Sequence, residues 1–352
     1  MAASPAKPPT IRDVAERAGV SKSLVSLVLR GSGRVRPEKR QAVLRAMREL
    51  GYRPNAAARS LSERRSLPRA LASTRAGRTP LVGVVLDDLR NPWFVDLLDG
   101  LNSLLHASGV HMLLADARLG RRTGQDPAGP FLDLGADGLV VVGTLPDPTA
   151  LAPVAARLPV VVAGAREPVL PGVDVVCGDD VRGARLATEH LVGLGHRRIA
   201  HVAGTGAVGE LRRRGFEAAL RAHGLADLAR VEPGDLTEEG GHRAAVRLLA
   251  RPERPTAVLA VNDIAAVGVM SAAEELGLRV PHDVSVAGYD NTGVSRLRHL
   301  WLTTVDTAPQ EVGRRAARCL LDRLDGRGGP GRVHLAAPAL EVRGTTAPPP
   351  GD

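Results

Sequence analysis

Short apolar runs alternate with amphipathic stretches from Leu81 to Gly288, and this alternation constrains the fold more than any other feature of the chain. The runs that we predict to be strands are Leu81–Leu86, Val110–Ala115, Gly138–Val142, Val160–Ala163, Ile199–Ala203, Ala257–Val261 and Val284–Gly288. The stretches between them that we predict to be helices include Phe94–Ala107, Gly183–Leu194, Leu211–Ala222 and Ala265–Leu276. Strands that alternate with helices form parallel sheets with helices on both faces, so the sequence predicts an α/β core.

Charge divides the chain into two parts. Residues 1–79 hold 18 Lys and Arg against 5 Asp and Glu, a net charge of +13, whereas the remaining residues hold 29 against 33, a net charge of −4. A small basic module on a mildly acidic body is typical of a protein in which one module binds nucleic acid. A solvated basic tail could carry the same charge, but it would lack the helix signals found in this segment.

Two further features bear on the compartment. The first residues contain no apolar segment of the kind that a secretory signal needs, and runs such as Leu139–Val142 are too short to span a bilayer. Cys177 and Cys319 lie far apart without metal-ligand spacing, which favours core thiols in a reducing cytosol over a disulfide. We therefore expect a cytoplasmic protein without a membrane segment.

The basic segment begins with two short predicted helices. Thr10 and Asp13 have the spacing of a capping box, so the first helix should start at Ile11, and Gly19 should end it. Ser21 should cap the second helix, whose apolar face is Val25, Val28 and Leu29. Its opposite stripe is Lys22, Ser23, Ser26, Leu27 and Arg30. Two short helices joined by so tight a turn form a helix-turn-helix, whose second helix can enter a major groove.

A third helix and a very short fourth one should follow. Pro37 suits the first turn of the third helix, and Gly51 suits its end. Its predicted buried face is Val43, Leu44, Met47 and Leu50. Asn55 then caps residues 56–61, which are too few to form a stable helix alone and should order only against a partner helix or DNA.

Residues 10–61 carry a specific resemblance. They begin TIRDVAERAGVSKS and end LGYRPNAAARSL, and they are similar to the headpiece of the lactose-repressor (LacI/GalR) family. The resemblance implies that Lys22, Ser23 and Leu27 read base edges, and that Leu61 is a hinge leucine which a dimer wedges into the minor groove. The candidate DNA-binding residues are Thr10, Ser21, Lys22, Ser23, Ser26, Leu27, Arg30, Tyr52, Asn55, Arg59 and Leu61.

Two headpiece positions depart from the family pattern. Leu24 stands where members usually have a Thr or Ser that reaches phosphate. Leu27 replaces a commonly polar or basic side chain, so a bidentate contact to guanine is unavailable. Because the other residues of its stripe are polar, Leu27 is expected to contact a thymine methyl group, and the alternative is that it is buried in the core.

The resemblance continues through nearly all of the chain and implies the fold class and the domains. The family has an all-α helix-turn-helix headpiece and a periplasmic-binding-protein-like α/β core of two doubly wound parallel-sheet lobes. The expected boundaries are a headpiece at 8–53, a hinge helix at 54–62, a linker at 63–79, a core at 80–345 and a tail at 346–352. Within the core, the first lobe should comprise about 80–174 and 305–331, and the second about 175–302 and 332–345. Residues 62–79 form a longer joint than the family usually has, either a flexible spacer or a source of added phosphate contacts.

Ligands of such sheets bind at the carboxyl ends of the strands, between the lobes. By their match to family positions, the candidate effector-binding residues are Trp93, Phe94, Arg212, Asn262 and Asp290. An amide, a carboxylate and a guanidinium suit hydroxyls, carboxylates or nucleobase edges, whereas the two aromatic residues could equally be ordinary packing. Gly164 replaces an Asp that sugar-responsive members often have, and Leu236 replaces a frequent aromatic lid.

Three other functions are compatible with parts of the sequence. Gly204, Gly206 and Gly209 form a G-x-G-x-x-G after a strand, which would suit a dinucleotide-binding enzyme. A transport binding protein would share the core but would lack a basic headpiece, and an architectural DNA binder would not need a cleft. The sequence favours a non-enzymatic, effector-controlled regulator, expected to be a repressor without a cofactor or metal. A homodimer should bind a near-palindromic operator.

Overall fold

The computed structural model describes residues 10–29, 35–50, 79–118, 128–143, 151–165 and 170–350. The chain forms two compact units, Met1–Thr79 and Pro80–Asp352. No helix in the described ranges is long and apolar enough to cross a membrane.

The first unit contains three helices: α1 (Ile11–Arg17), α2 (Lys22–Leu29) and α3 (Pro37–Leu50). They pack around a small apolar core in which Val14, Val25 and Val43 are fully buried. The predicted capping box of α1 is present, and Gly19 adopts the left-handed conformation (φ +64°) that ends this helix. The side chain of Leu29 lies outside the part of the chain that the structure describes.

The predicted buried face of α3 is wrong at one position. Leu44 is 44% exposed, and Ala46 is buried in its stead at 3% exposure. Positions 43, 46, 47 and 50 follow one another at three- or four-residue intervals on one face of the helix, whereas position 44 is turned about 100° away from position 43.

In the second unit, the first lobe is built on a six-stranded parallel sheet. Its first five strands are β1 (Leu81–Leu86), β2 (His111–Asp116), β3 (Gly138–Val142), β4 (Val160–Ala163) and β5 (Asp174–Gly178). The helices that connect them are α4 (Pro92–Ala107), α5 (Gly129–Asp133) and α6 (Leu151–Ala155). The buried strands read as continuous apolar runs because helices cover both faces of the sheet.

The second lobe has a four-stranded parallel sheet. Its helices are α7 (Asp180–Gly193), α8 (Gly206–Ala222), α9 (Glu238–Leu249) and α10 (Asp263–Glu275). Its strands are β6 (Ile199–Ala203), β7 (Arg230–Pro233), β8 (Ala257–Ala260) and β9 (Ser285–Ala287), in the order β7-β6-β8-β9.

The chain crosses between the lobes three times. It passes from β5 to α7, then from β10 (Thr304–Asp306) to α11 (Pro309–Leu324) in the first lobe, and finally from β11 (Val333–Ala336) to β12 (Ala339–Glu341). The first-lobe sheet has the order β11-β5-β4-β3-β1-β2, so β11 belongs to the first lobe. The family layout had placed the last return near Arg332, but the pairing of β11 with β5 delays it until after Ala336.

Four of the seven predicted strands have the predicted bounds, and the other three differ by one or two residues. The four predicted helices are all present, but each begins two to five residues earlier than the apolar spacing indicated. The shift is largest for α7 and α8, because their first turns are polar or rich in glycine. The periodicity did not single out β5, α9 or α11.

Candidate functional site

A cavity of about 320 Å³ lies between the two lobes of the core. The residues that follow or end the strands meet there, as expected for parallel sheets. From the first lobe they are Asp87, Gly143, Gly164 and Gly178, and from the second they are Thr205, Leu236, Asn262 and Asp290. Trp93, Phe94 and Arg212 also line this cavity, so the structure brings all five candidate effector residues together.

The guanidinium of Arg212, on α8, is held on three sides. Its Nε donates to Asp180 Oδ1 at 3.0 Å and its Nη2 donates to Asp290 Oδ1 at 3.0 Å. Its Nη1 donates to the carbonyl oxygen of Val261 at 2.6 Å, and its Cζ lies 3.7 Å from the ring centroid of Tyr289. Burial lowers the pKa of Arg212, but Asp290 and Asp180 outweigh it and the net shift is upward. Of five N–H donors, three are therefore used and two remain for a ligand.

Asp290 occupies a strained position after β9. Its φ of +103° lies outside the regions that most side chains tolerate, and its side chain is buried. Burial raises the pKa of Asp290 to about 7, although Arg212 opposes this shift. Its Oδ1 accepts from Arg212, and no group among the described residues donates to its Oδ2, which leaves one oxygen for a ligand.

Asp263 holds the loop that carries Asp290. Its Oδ2 accepts from the backbone N–H of Thr292 at 2.7 Å and its Oδ1 accepts from the hydroxyl of Thr304 at 2.5 Å. Burial raises the pKa of Asp263 to about 6. The side chain of Asp263 is fully buried. Its hydrogen bonds to Thr292 and Thr304 hold the loop in which Asp290 adopts its strained backbone conformation.

Asn262 has a structural role besides its place in the cavity. Its Oδ1 accepts from the N–H of Ala265 at 2.8 Å and so caps α10, while its Nδ2 donates to the carbonyl of Leu236 at 3.1 Å. An amide has two N–H donors, so one remains available. Asn262 therefore joins the second-lobe loops and can still donate to a ligand.

Trp93 and Phe94 form an apolar wall at the start of α4. Their rings pack edge to face with centroids 5.4 Å apart, and the indole Nε1 donates to Thr307 Oγ1 at 2.7 Å. Gly164 makes room for this wall, because a Cβ there would lie 2.6 Å from the Trp93 ring. The two rings are packed into the first-lobe core and also line the cavity, so their packing role is compatible with contact to a ligand.

Sequence reasoning missed two residues that hold the candidate side chains in place. Asp180 contacts Arg212 from the first turn of α7, and Thr307 anchors Trp93 from the crossover after β10. The signal for Asp180 was a short apolar run, 175–177, followed by Gly178 and two acids. The sequence carries no local signal for Thr307, since it lies 214 residues from its partner.

The glycine motif has a packing role in this structure. A Cβ on Gly209 would lie 2.3 Å from the carbonyl oxygen of Gly204, and Gly206 has a φ of +75°. The glycines therefore allow a tight turn into α8, whose first residues line the cavity. The turn places Arg212 at the cavity two helical turns later.

In the headpiece, the stripe on α2 faces away from the core. Lys22 and Ser23 are exposed, Ser26 is half-buried and Leu27 is 39% exposed, so Leu27 is not a core residue. Leu24 packs partly against the headpiece core. The outward face of α2 thus offers a mixed polar and apolar surface.

Thr10 and Ser21 cap helices. Thr10 Oγ1 accepts from the N–H of Asp13 at 3.4 Å, and Ser21 Oγ accepts from the N–H of Leu24 at 3.3 Å. The other candidate DNA contacts, Arg30, Tyr52, Asn55, Arg59 and Leu61, lie outside the described residues.

Comparison with known proteins extends over both units. Residues 10–55 match the family model for bacterial regulatory proteins, lacI family, and residues 188–346 match that of a periplasmic binding protein-like domain. The chain is 34% identical over 322 residues, 90% of each chain, to the HTH-type transcriptional repressor PurR of Erwinia tasmaniensis.

Solved structures are similar over nearly the whole length. The lac repressor dimer bound to operator and the anti-inducer ONPF is 28% identical, covers 97% of this chain and 100% of its own, and superposes with a TM-score of 0.79. The transcriptional regulator CelR in complex with cellobiose is 30% identical over 96% of this chain and 99% of its own, with a TM-score of 0.67. Headpiece and core are therefore similar to the same group of proteins.

Proposed function

The chain belongs to the lacI family of bacterial regulatory proteins, and on this basis we propose that it represses transcription under the control of a small, uncharged, hydroxyl-rich effector. Membership makes the protein a sequence-specific DNA-binding regulator rather than an enzyme. The dinucleotide-enzyme alternative is therefore set aside. We place its action in the cytoplasm, where its DNA target is.

The headpiece is proposed to bind operator DNA through α2. Lys22 and Ser23 are exposed at the start of this helix, which is the end that meets base edges in helix-turn-helix complexes. The exposed Leu27 supports an apolar contact with a thymine methyl group. Leu61 as a minor-groove wedge, with Arg30, Tyr52, Asn55 and Arg59 as further contacts, rests on the family resemblance alone.

The observation that carries the effector proposal is the state of Arg212 in the cleft. Because this guanidinium already faces two carboxylates, Asp180 and Asp290, its positive charge is neutralised from within the protein. Among the described residues that line the cleft, an anionic ligand would find no uncompensated cation and would meet a free carboxylate oxygen on Asp290. Hydroxyl groups can accept from the two remaining Arg212 N–H donors and donate to Asp290. The apolar wall of Trp93 and Phe94 suits the face of a ring.

A thermal-shift screen tests this proposal with matched neutral and acidic compounds. The screen would compare glucose with glucuronate and ribose with ribose 5-phosphate, and would add cellobiose and free nucleobases. A neutral polyhydroxyl compound should raise the melting temperature, because a ligand that binds the folded state stabilises it. Preferential stabilisation by the acidic member of a pair, or by none of the compounds, would contradict the proposed effector class.

A binding experiment tests the DNA half separately. Selection from genomic duplexes should yield a near-palindromic site, and the stabilising compound should change the affinity for that site. Failure to recover any specific duplex would remove the proposal of operator recognition.

A further inference from the structure

A second cavity, of about 240 Å³, opens in the first lobe and shares no residue with the effector cleft. Five arginines line it, together with His334, Cys319, two aspartates and a glycine-rich loop. The arginines are Arg315, Arg318, Arg323, Arg327 and Arg332. Five arginines against two aspartates make this cavity strongly basic.

The cavity lies at the opposite end of the sheet from the effector cleft. Asp174, which lines the basic cavity, begins β5, and Gly178, which lines the cleft, ends it. Four steps along a strand separate these residues by about 13 Å. A ligand in the basic cavity would therefore occupy a separate site.

Two of the five arginines are already neutralised. Arg323 Nε donates to Asp174 Oδ2 at 2.8 Å, and this pair is mostly buried at the floor of the cavity. Arg327 Nη2 lies 2.8 Å from Asp322 Oδ1 and 2.9 Å from Asp325 Oδ2. These pairs account for both aspartates that line the cavity.

The other three arginines have no carboxylate partner. Among the described residues, no Asp or Glu oxygen lies within 4 Å of the guanidinium of Arg315, Arg318 or Arg332. Arg315 Nη2 instead donates to His334 Nδ1 at 3.2 Å, which leaves the ring proton on Nε2, 3.9 Å from Asp174 Oδ1. The cavity therefore holds three positive charges that no carboxylate of the described residues balances.

His334 does not supply a further charge. Burial lowers the pKa of His334, and the neighbouring Arg315 and Arg332 lower it further. Its ring is therefore neutral at pH 7 and fixes the position of Arg315 as a hydrogen-bond acceptor.

We propose that this basic cavity is a second ligand site, which binds the dianionic phosphate group of a small phosphate ester. Guanidinium groups bind phosphate through paired N–H donors, and several of them converge on one group where phosphate is recognised. Gly328, Gly329 and Pro330 line one side without bulky side chains, so the backbone can approach the bound group. Phosphates of DNA share this chemistry, but a concave cavity suits a compact ligand better than a continuous duplex.

The test is calorimetric titration of the full-length protein with inorganic phosphate and with glycerol 3-phosphate, at constant ionic strength set with chloride. The variant is Arg315→Gln with Arg332→Gln, which removes two unpaired charges and leaves the buried Arg323–Asp174 pair intact. The matched control is Arg221→Gln with Arg230→Gln, which removes two exposed arginines that line no cavity described here and have no carboxylate partner.

We expect saturable binding of both probes to the wild type and the control, and at least tenfold weaker binding to the cavity variant. Thermal unfolding without phosphate should give the same melting temperature for variant and control, since all four side chains are exposed. Equal affinity in all three proteins, or no saturable binding to the wild type, overturns the proposal. If the cavity variant binds no less phosphate but shows weaker DNA binding with a smaller salt dependence, the arginines contact DNA and the small-ligand site is rejected.

Discussion

At the scale of single residues, the effector cleft depends on one shared cation. Arg212 lies between Asp180 and Asp290, and each of its three nitrogens makes one hydrogen bond within the protein. Removing Asp290 leaves the guanidinium still paired with Asp180, so a substitution there can test ligand binding without an unpaired buried charge. Asn is a suitable replacement because it tolerates the positive φ of this position better than Ala does.

Asp290→Asn should weaken the effector response at least tenfold and leave operator affinity within about twofold. A hydrogen bond to a charged group contributes roughly 1.5–3 kcal/mol, and a protein that cannot bind its effector cannot be switched by it. The measurement is fluorescence anisotropy of a labelled operator during effector titration. Asp227→Asn, an exposed acid of the same lobe that does not line the cleft, is the control and should respond normally. An unchanged response in Asp290→Asn would place the effector elsewhere.

The pH dependence of stability provides a second test at this residue. The pKa of Asp290 is raised from 3.8 to about 7 in the folded protein, so the folded state holds this proton more tightly than the unfolded chain does. Its contribution to stability is therefore complete below about pH 4 and is lost as the pH rises through 7. From pH 5 to 8, the free energy of unfolding of the wild type should fall relative to Asp290→Asn by on the order of 2 kcal/mol. Denaturant unfolding of both proteins at several pH values measures this change in relative stability. If the wild type instead became more stable relative to Asp290→Asn as the pH rises, the upward shift in the pKa of Asp290 would be contradicted.

At the scale of elements, the headpiece helices are too short to be stable alone. Helices α1 and α2 have seven and eight residues, so they depend on their caps and on the contacts of Val14, Val25 and Val43. The capping box of α1 is reciprocal, since Thr10 N–H also donates to Asp13 Oδ2 at 2.7 Å. Loss of one partner should therefore loosen the whole first helix.

Thr10→Ala should lower the local stability of the headpiece by about 1 kcal/mol. Hydrogen exchange of the amides of residues 11–17 should accelerate, whereas exchange in the core should not change. The matched control is Thr237→Ala, which removes the cap of α9 in the core. It should accelerate hydrogen exchange in α9 and leave exchange in α1 unchanged. Unchanged exchange in α1 would mean that packing alone maintains this helix.

At the scale of the whole molecule, charge is segregated along the chain. Residues 1–79 carry a net +13 and the remainder a net −4, so the headpiece and the joint that follows it supply most of the attraction to DNA. The core can then bind a ligand in a cleft where the described cation, Arg212, is already paired, while the headpiece binds a polyanion. The two binding functions are electrostatically independent.

Operator binding should be dimeric and strongly dependent on salt. Each phosphate neutralised by a Lys or Arg releases counterions, so affinity should fall by about 10³-fold or more between 50 and 200 mM salt if six or more phosphates are contacted. Gel shifts and analytical ultracentrifugation of the complex measure both properties, with a scrambled duplex as the control. Two protomers per near-palindromic site are expected, and salt-insensitive or monomeric binding would count against this prediction.

Local spacing in the sequence determined seven strands of the core, the caps of the headpiece helices and the outward stripe of α2. These features depend on residues within one or two helical turns or along a single strand, so they can be predicted without knowledge of the fold. Family resemblance added the five cleft residues, which the structure brings to one cavity.

The hydrogen-bond partners of those residues could be identified only from the tertiary structure. Asp180 and Asp290 are 32 and 78 residues from Arg212, and Thr307 is 214 residues from Trp93, so no local pattern relates them. Sheet pairing likewise placed β11 beside β5, because the edge on which a strand adds depends on which backbone groups remain unpaired once the other strands have assembled. The three arginines of the second cavity that have no carboxylate partner among the described residues could also be identified only from the structure. Which charges lie near an arginine depends on how the lobe is assembled.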